Sequence, residues 1–192
     1  METLQLDRKT GSGSYSFICS LALLLYASQP AAAAERAERL PPDQIGDHGY
    51  ALLFALLGDE KDVSKLRIIK HEPEELKNLT KEISRVCGEA HKKIEAFGKA
   101  DGKLNLKDQG LPSAEIETRK AISKTKEKAL LGGKGKEFEL ELLLDQNEAL
   151  MYGAHLARVV AGHENDPIRA EFLRQLADNL AKLQQSIRMM LH

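Results

Sequence analysis

The sequence predicts an all-α helical bundle, and three observations carry that expectation. Leu, Ala, Glu and Lys dominate, aromatic residues are only 5% of the chain and Trp is absent. These are helix-forming residues, and strand-like alternation of Val, Thr and aromatics is missing. Apolar residues recur three and four apart in long stripes, clearest from Leu76 to Phe97 and from Leu173 to Met190, the spacing of an amphipathic helix. Pro and Gly fall between the stripes and punctuate them. At 192 residues the chain is one domain, or one domain with a tail. Its 28 basic and 29 acidic residues nearly cancel, so the basic excess of a nucleic-acid-binding protein is absent. The charged runs Lys61–Lys70, Lys77–Lys81 and Lys120–Lys128 read as solvated helix faces.

The N-terminus reads as an address. Phe17 to Ala27 is an apolar run, followed by Pro30, by Ala31 to Ala34, and by the charged pair Glu35-Arg36. That order is the layout of a secretory signal, and the run is short for a hydrocarbon core of about 30 Å. The expectation is a signal peptide at 1–34, cleaved after Ala33 or Ala34, and a periplasmic or secreted protein. The alternative is an uncleaved membrane anchor. Cys19 lies inside the apolar run, the wrong place for a lipid-modified N-terminal Cys. Cleavage leaves Cys87 as the sole Cys, without an internal disulfide partner. Cys87 then reads as a small buried hydrophobe.

Residues 35–43, ending in Pro41-Pro42-Asp43, read as a flexible lead-in, and 44–192 as the bundle domain. A first helix is expected from about 43 to 70. It contains the apolar run Tyr50–Leu57 and is kinked or broken near Gly58; beyond it Val63, Leu66 and Ile69 recur at spacing three. Glu72-Pro73 opens a second helix, with Glu74 and Glu75 favourable to its dipole. Its stripe is Leu76, Leu79, Ile83, Val86, Ala90, Ile94 and Phe97, and it ends near Asp101-Gly102. The sequon Asn78-Leu79-Thr80 falls mid-helix and reads as chance. Residues 101–112 form a loop, and Pro112-Ser113 starts a third helix to about Leu131. That helix is thinly apolar and should pack on the outside or across one end. The run from Gly132 to Lys136 lacks the strand, Gly spacing and Ser or Thr of a phosphate loop, so it reads as a helix break. A fourth helix follows from Glu137 to about Gly162. Asp166 is the N-cap and Pro167 the first turn of a fifth, which runs to about Met190.

Two helix ends look alike. Arg67-Ile68-Ile69-Lys70 leads to His71-Glu72 and Pro73, and Arg158-Val159-Val160-Ala161 leads to His163-Glu164 and Pro167. His71 and His163 would complement C-terminal helix dipoles. The echo suggests two antiparallel hairpins joined by the 98–137 crossover, a ferritin-like topology. The signal, the two hairpins, Gly110-Leu111-Pro112 in the crossover and the Gly-rich turn before Phe138-Glu139 resemble uncharacterised bacterial periplasmic proteins with a ferritin-like helical domain of unknown function. The resemblance spans about residues 50–190. Gln146 fits a Gln common in such proteins and His91 fits a His of the first hairpin. Phe138-Glu139 stands where Phe-Asp is usual, and a His often seen four residues after that Gln is Leu150 here.

Chemistry, if present, concentrates between Phe138 and Pro167. Glu141, Asp145, Glu148, Tyr152 and His155 lie along one helical stripe, and His91 and Glu95 are one turn apart on the second helix. Carboxylates and imidazoles on inward faces would hold a divalent metal, so Glu141, Asp145, Glu148, His155, His91 and Glu95 are the metal candidates. No His has a Glu three residues before it, which argues against the usual di-iron bundle site. The apolar residues of the fourth helix form two sectors, Phe138, Leu142, Ala149 and Leu156, and Leu143, Leu150 and Ala154. The acidic stripe lies outside both, where it can face water, as buried unpaired carboxylates are costly. Cys87 and His91 are one turn apart but carry no local signature of thiol catalysis. The expectation is a non-enzymatic exported protein without a cofactor, binding an unknown protein or small ligand and free to form homo-oligomers. The alternative is a metal-binding or metal-dependent oxidoreductase bundle.

Overall fold

A computed structural model describes residues 42–68, 73–102 and 104–192. The expected signal and most of the lead-in lie outside the described residues, as does His71. Five α-helices follow in order: α1 Pro42–Glu60, α2 Glu74–Ala100, α3 Ser113–Gly132, α4 Lys136–His163 and α5 Pro167–Met190. A short 3-10 helix, Val63–Ile68, lies between α1 and α2. No strand occurs among the described residues, so the all-α expectation holds.

The helix ends follow the local chemistry. The Asp166 side chain accepts from the backbone N–H groups of Ile168, at 2.8 Å, and Arg169, at 3.2 Å. It thereby satisfies two of the four donors that a helix start leaves free. Glu74 and Glu75 occupy the first turn of α2, and Lys99 its last. Gly135 precedes α4 with φ +53°, a left-handed backbone that side chains disfavour. The Gly-rich run is therefore a helix break, as expected.

Three expectations are corrected. The first helix breaks at Glu60, close to the expected point at Gly58, but it does not resume as an α-helix. The spacing of three beyond it belongs to a 3-10 helix, which has three residues per turn. In α2 the face turned to the core is shifted by a residue. Thr80 and Cys87 are fully buried beside Leu76, Ile83, Ala90 and Ile94, while Leu79, Val86 and Phe97 pack at the margin. Thr80 meets its polar need locally, its hydroxyl donating to the Lys77 carbonyl at 3.2 Å. In α4 the two sectors merge into one broad buried face containing Leu142, Leu143, Leu150, Ala154, Ala157 and Val160. Gln146 lies in the middle of that face, whereas Ala149 and Leu156 sit at its edge.

The core is shared by α1, α2, α4 and α5. Contacts run from α1 to α2, α2 to α5, α5 to α4 and α4 back to α1, closing a ring. Small residues let α1 approach α4. A Cβ at Gly49 would stand 2.5 Å from Val160 Cγ2, and one at Gly153 would stand 2.8 Å from Leu56 Cδ2. A polar clasp joins four of the chain's elements at one end. The Tyr50 hydroxyl of α1 donates to Glu164 at 2.6 Å, in the turn after α4. Arg169 of α5 donates to Glu164 at 3.1 Å and to Asp101, at the end of α2, at 2.8 Å. Burial, and then the Glu164 carboxylate, push the Tyr50 phenol far above its ordinary value. It therefore acts as a donor throughout the physiological range.

α3 stands apart from this ring. It packs on α4, and Leu130 is its only buried residue. Burying one Leu is worth about 1.5–3 kcal/mol, a small return for ordering a 20-residue helix.

Candidate functional site

The side chains of α3 do not lie flat on the bundle. Between α3, the C-terminal half of α1 and the outer face of α4 runs an open groove of about 810 Å³. Its apolar surface comes from Leu56 of α1, Ile122 and Leu131 of α3, and Met151 and Tyr152 of α4. Several of these remain accessible: Ile122 is 50% exposed, Leu131 49% and Met151 44%. The Arg119 guanidinium lies 5.9 Å from the centre of the Tyr152 ring.

Carboxylates dominate the charge. Asp59, Glu60, Glu127, Asp145 and Glu148 line the groove, against the cations Arg119 and Lys126 and the imidazole of His155. Both cations are engaged. The Lys126 ammonium bridges Asp145 and Glu148, 2.6 Å from each. Burial works against its charge, but the two carboxylates outweigh it and hold the ammonium above its usual range. Arg119 pairs with Glu115 at 2.7 Å.

Glu60 is the unusual member. It ends α1, is only 9% exposed, and has no salt-bridge partner among the described residues. Burial drives its carboxyl up to about 7. The Gln146 side chain hydrogen-bonds to it and opposes the shift; Asp145 and Asp59 add to it and Lys126 opposes it. Two buried oxygens have no hydrogen-bond partner among the described residues, Glu60 Oε2 and Gln146 Oε1. Such groups are uncommon in native proteins, and each costs roughly 1–3 kcal/mol. Behind Glu60 lies Cys87, whose thiol is pushed up to about 12 by burial and by Glu60. This thiol stays protonated and unreactive.

The six metal candidates do not converge. Asp145, Glu148 and His155 line the groove, with the Lys126 ammonium between the two carboxylates. Glu141 is exposed and borders a small dent beside them. His91 lies elsewhere, stacked on Phe54 with ring centres 4.0 Å apart. Burial and then Lys61 hold its imidazole below the usual value. Glu95 is paired with Lys99 at 2.9 Å, which holds its carboxyl below the usual range. Among the described residues, no three His, Cys, Asp or Glu side chains are placed to hold a metal ion together.

No family model, curated protein or solved structure matches the chain. The groove must therefore be read from its own chemistry. Sequence reasoning found Asp145, Glu148, Tyr152 and His155 as a stripe facing water; Glu148, Tyr152 and His155 are indeed exposed, but they form one wall of the groove beside α3. It missed Glu60 and Lys126. Lys126 sits in a charged helix indistinguishable by pattern from a solvated one. Glu60 follows Asp59 at a helix end, a common place for a solvated acid, and only the packing of α4 shows that it is buried.

Proposed function

We propose that this protein is an exported, non-enzymatic binding protein. It takes a small ligand into the groove between α3 and the α1–α4 face. The proposed architecture is ferritin-like: α1–α2 and α4–α5 are the two hairpins, and α3 belongs to the crossover. The closed ring of contacts among α1, α2, α5 and α4 supports that arrangement. The apolar run and Ala-rich stretch before Glu35 support export. No helix among the described residues is long and apolar enough to cross a membrane.

One observation carries the binding reading: an apolar-walled groove of about 810 Å³ whose outer wall, α3, buries a single residue. The volume falls in the range of roughly 300–1,000 Å³ typical of small-ligand sites. A helix that buries one leucine, and is otherwise tied to α4 by surface contacts such as the Lys126 bridge and Arg119 over Tyr152, can give way to admit a ligand and close over it. The test uses a neutral solvatochromic dye such as Nile red with the full chain and with Ala149→Trp, which fills the groove from α4. The expected result is saturable, blue-shifted emission from the native protein and its loss in the variant, with unchanged helical circular dichroism. Equal emission from both proteins, or none from either, contradicts the reading.

A further inference from the structure

We propose that the ligand of this groove is a small amphiphilic cation, an apolar body carrying a protonated primary amine, and that the amine is held at the groove floor by Glu60 and Gln146. The proposal rests on the binding reading above and adds the chemistry of the ligand to it.

Glu60 Oε2 and Gln146 Oε1 are both buried without a partner among the described residues, and once Glu60 has lost its proton both are acceptors in need of a donor. Glu60 lines the groove and Gln146 lies against Glu60. An ammonium brings three N–H donors on one point charge, enough to serve both acceptors at once. An alcohol brings one donor and no charge. A quaternary ammonium brings the charge and no donor. The group that reaches Oε2 must part the side chains above it, and the Lys126 bridge, on the loosely held α3, is the one to part.

Charge selects in the same direction. The lining holds five carboxylates against two permanent cations and one imidazole, that of His155. Lys126 is already bound between Asp145 and Glu148, and Arg119 is bound to Glu115. Neither the ammonium nor the guanidinium of the lining is left to receive an anion, while Glu60 has no salt-bridge partner among the described residues. The body of the ligand follows from the walls: Leu56, Ile122, Leu131 and Met151 offer apolar surface next to the acidic floor, and the Tyr152 ring flanks it. The size of the groove suits a molecule of drug-like dimensions.

The empty and filled states differ by a proton. In the empty groove the Glu60 carboxyl, facing Asp59, Asp145, Lys126 and Cys87, keeps its proton to about pH 7. An incoming ammonium takes that proton's place as the positive charge beside the carboxylate. Glu60 releases H⁺ to solvent and the amine keeps all its own protons, so charge is conserved.

The experiment is isothermal titration of the full chain with four probes that share an octyl chain: octylamine, octyltrimethylammonium, octanol and octanoate. Octylamine is expected to bind at least tenfold more tightly than octanol, with octyltrimethylammonium weaker than octylamine and octanoate weakest. In Glu60→Gln the advantage of octylamine over octanol disappears while helical circular dichroism is unchanged. Near pH 6, titrations in buffers of different ionisation enthalpy should report release of roughly 0.9 proton per octylamine bound. Octanol or octanoate binding as tightly as octylamine overturns the proposal and leaves the binding reading intact. So does an amine preference that survives in Glu60→Gln. Displacement of the dye by an amphipathic Lys/Leu peptide, with none by octylamine, also overturns it. Failure of all four probes and of the dye overturns the binding reading as well.

Discussion

Replacing Glu60 with Gln should remove a pH-dependent penalty from the folded state. The two side chains are nearly isosteric, so little cavity or overpacking is introduced. The native carboxyl moves from 4.5 to about 7 because burial disfavours its charged form. A shift of that size corresponds to about 3 kcal/mol. The sign follows from proton counts. As pH rises through the unfolded value, the unfolded chain loses its proton first while the folded chain keeps it. The folded state then binds more protons, and stability falls with rising pH until the folded carboxyl also ionises. Glu60 is thus harmless below about pH 4.5 and most destabilising above about pH 7. The variant has nothing to titrate there. Its stability relative to the native protein should climb by about 3 kcal/mol between those limits and then level. Urea unfolding followed by far-ultraviolet circular dichroism, in unit steps from about pH 4 to about pH 8, measures the difference directly. A difference that stays flat across the window would refute the claim that Glu60 is buried without a compensating cation.

Other perturbations probe the bundle. Gly49→Ala places a methyl against the stiff Val160 side chain, so it should destabilise by about 1–2 kcal/mol in chemical denaturation. That loss comes despite a gain of about 1 kcal/mol in helix propensity. Glu164→Ala strips the clasp of its centre, strands the Tyr50 hydroxyl and leaves Arg169 with Asp101 alone; a loss of about 2–4 kcal/mol is expected in the same assay. Backbone amides of α3 should exchange with deuterium well before those of α4 and α5, since Leu130 is its only buried anchor. Lys126→Met should speed that exchange further by removing the bridge to Asp145 and Glu148.

The helices were legible in the sequence because their signals are local. Asp166-Pro167 marks a helix start by cap chemistry alone, and the Gly132–Gly135 run marks a break by backbone freedom alone. The heptad stripe of α5 is also its buried face. Where the reading slipped, the competing effect was tertiary. Thr80 is polar enough to be passed over, and Cys87, expected to be buried, was set at the flank of the stripe; both are fully buried. Val63 and Leu66 follow the period of a 3-10 helix, which over so short a run looks like a continued α-helix. The groove was legible only in part. The stripe from Asp145 to His155 can be read from spacing on one helix. Its partners Glu60 and Lys126 come from α1 and α3, and no spacing along the chain brings three helices to one place. His91 and Glu95 share a turn of α2, but His91 turns its ring to Phe54 and Glu95 pairs with Lys99.

The most direct test of the groove as the binding site is amide chemical-shift mapping on the isotope-labelled full chain as octylamine is added. The account predicts saturable shifts confined to the end of α1 around Asp59 and Glu60, the Arg119–Leu131 half of α3 and the Asp145–His155 face of α4. Shifts centred on α5 or on the His91 face of α2, or no saturable shifts at all, would contradict it.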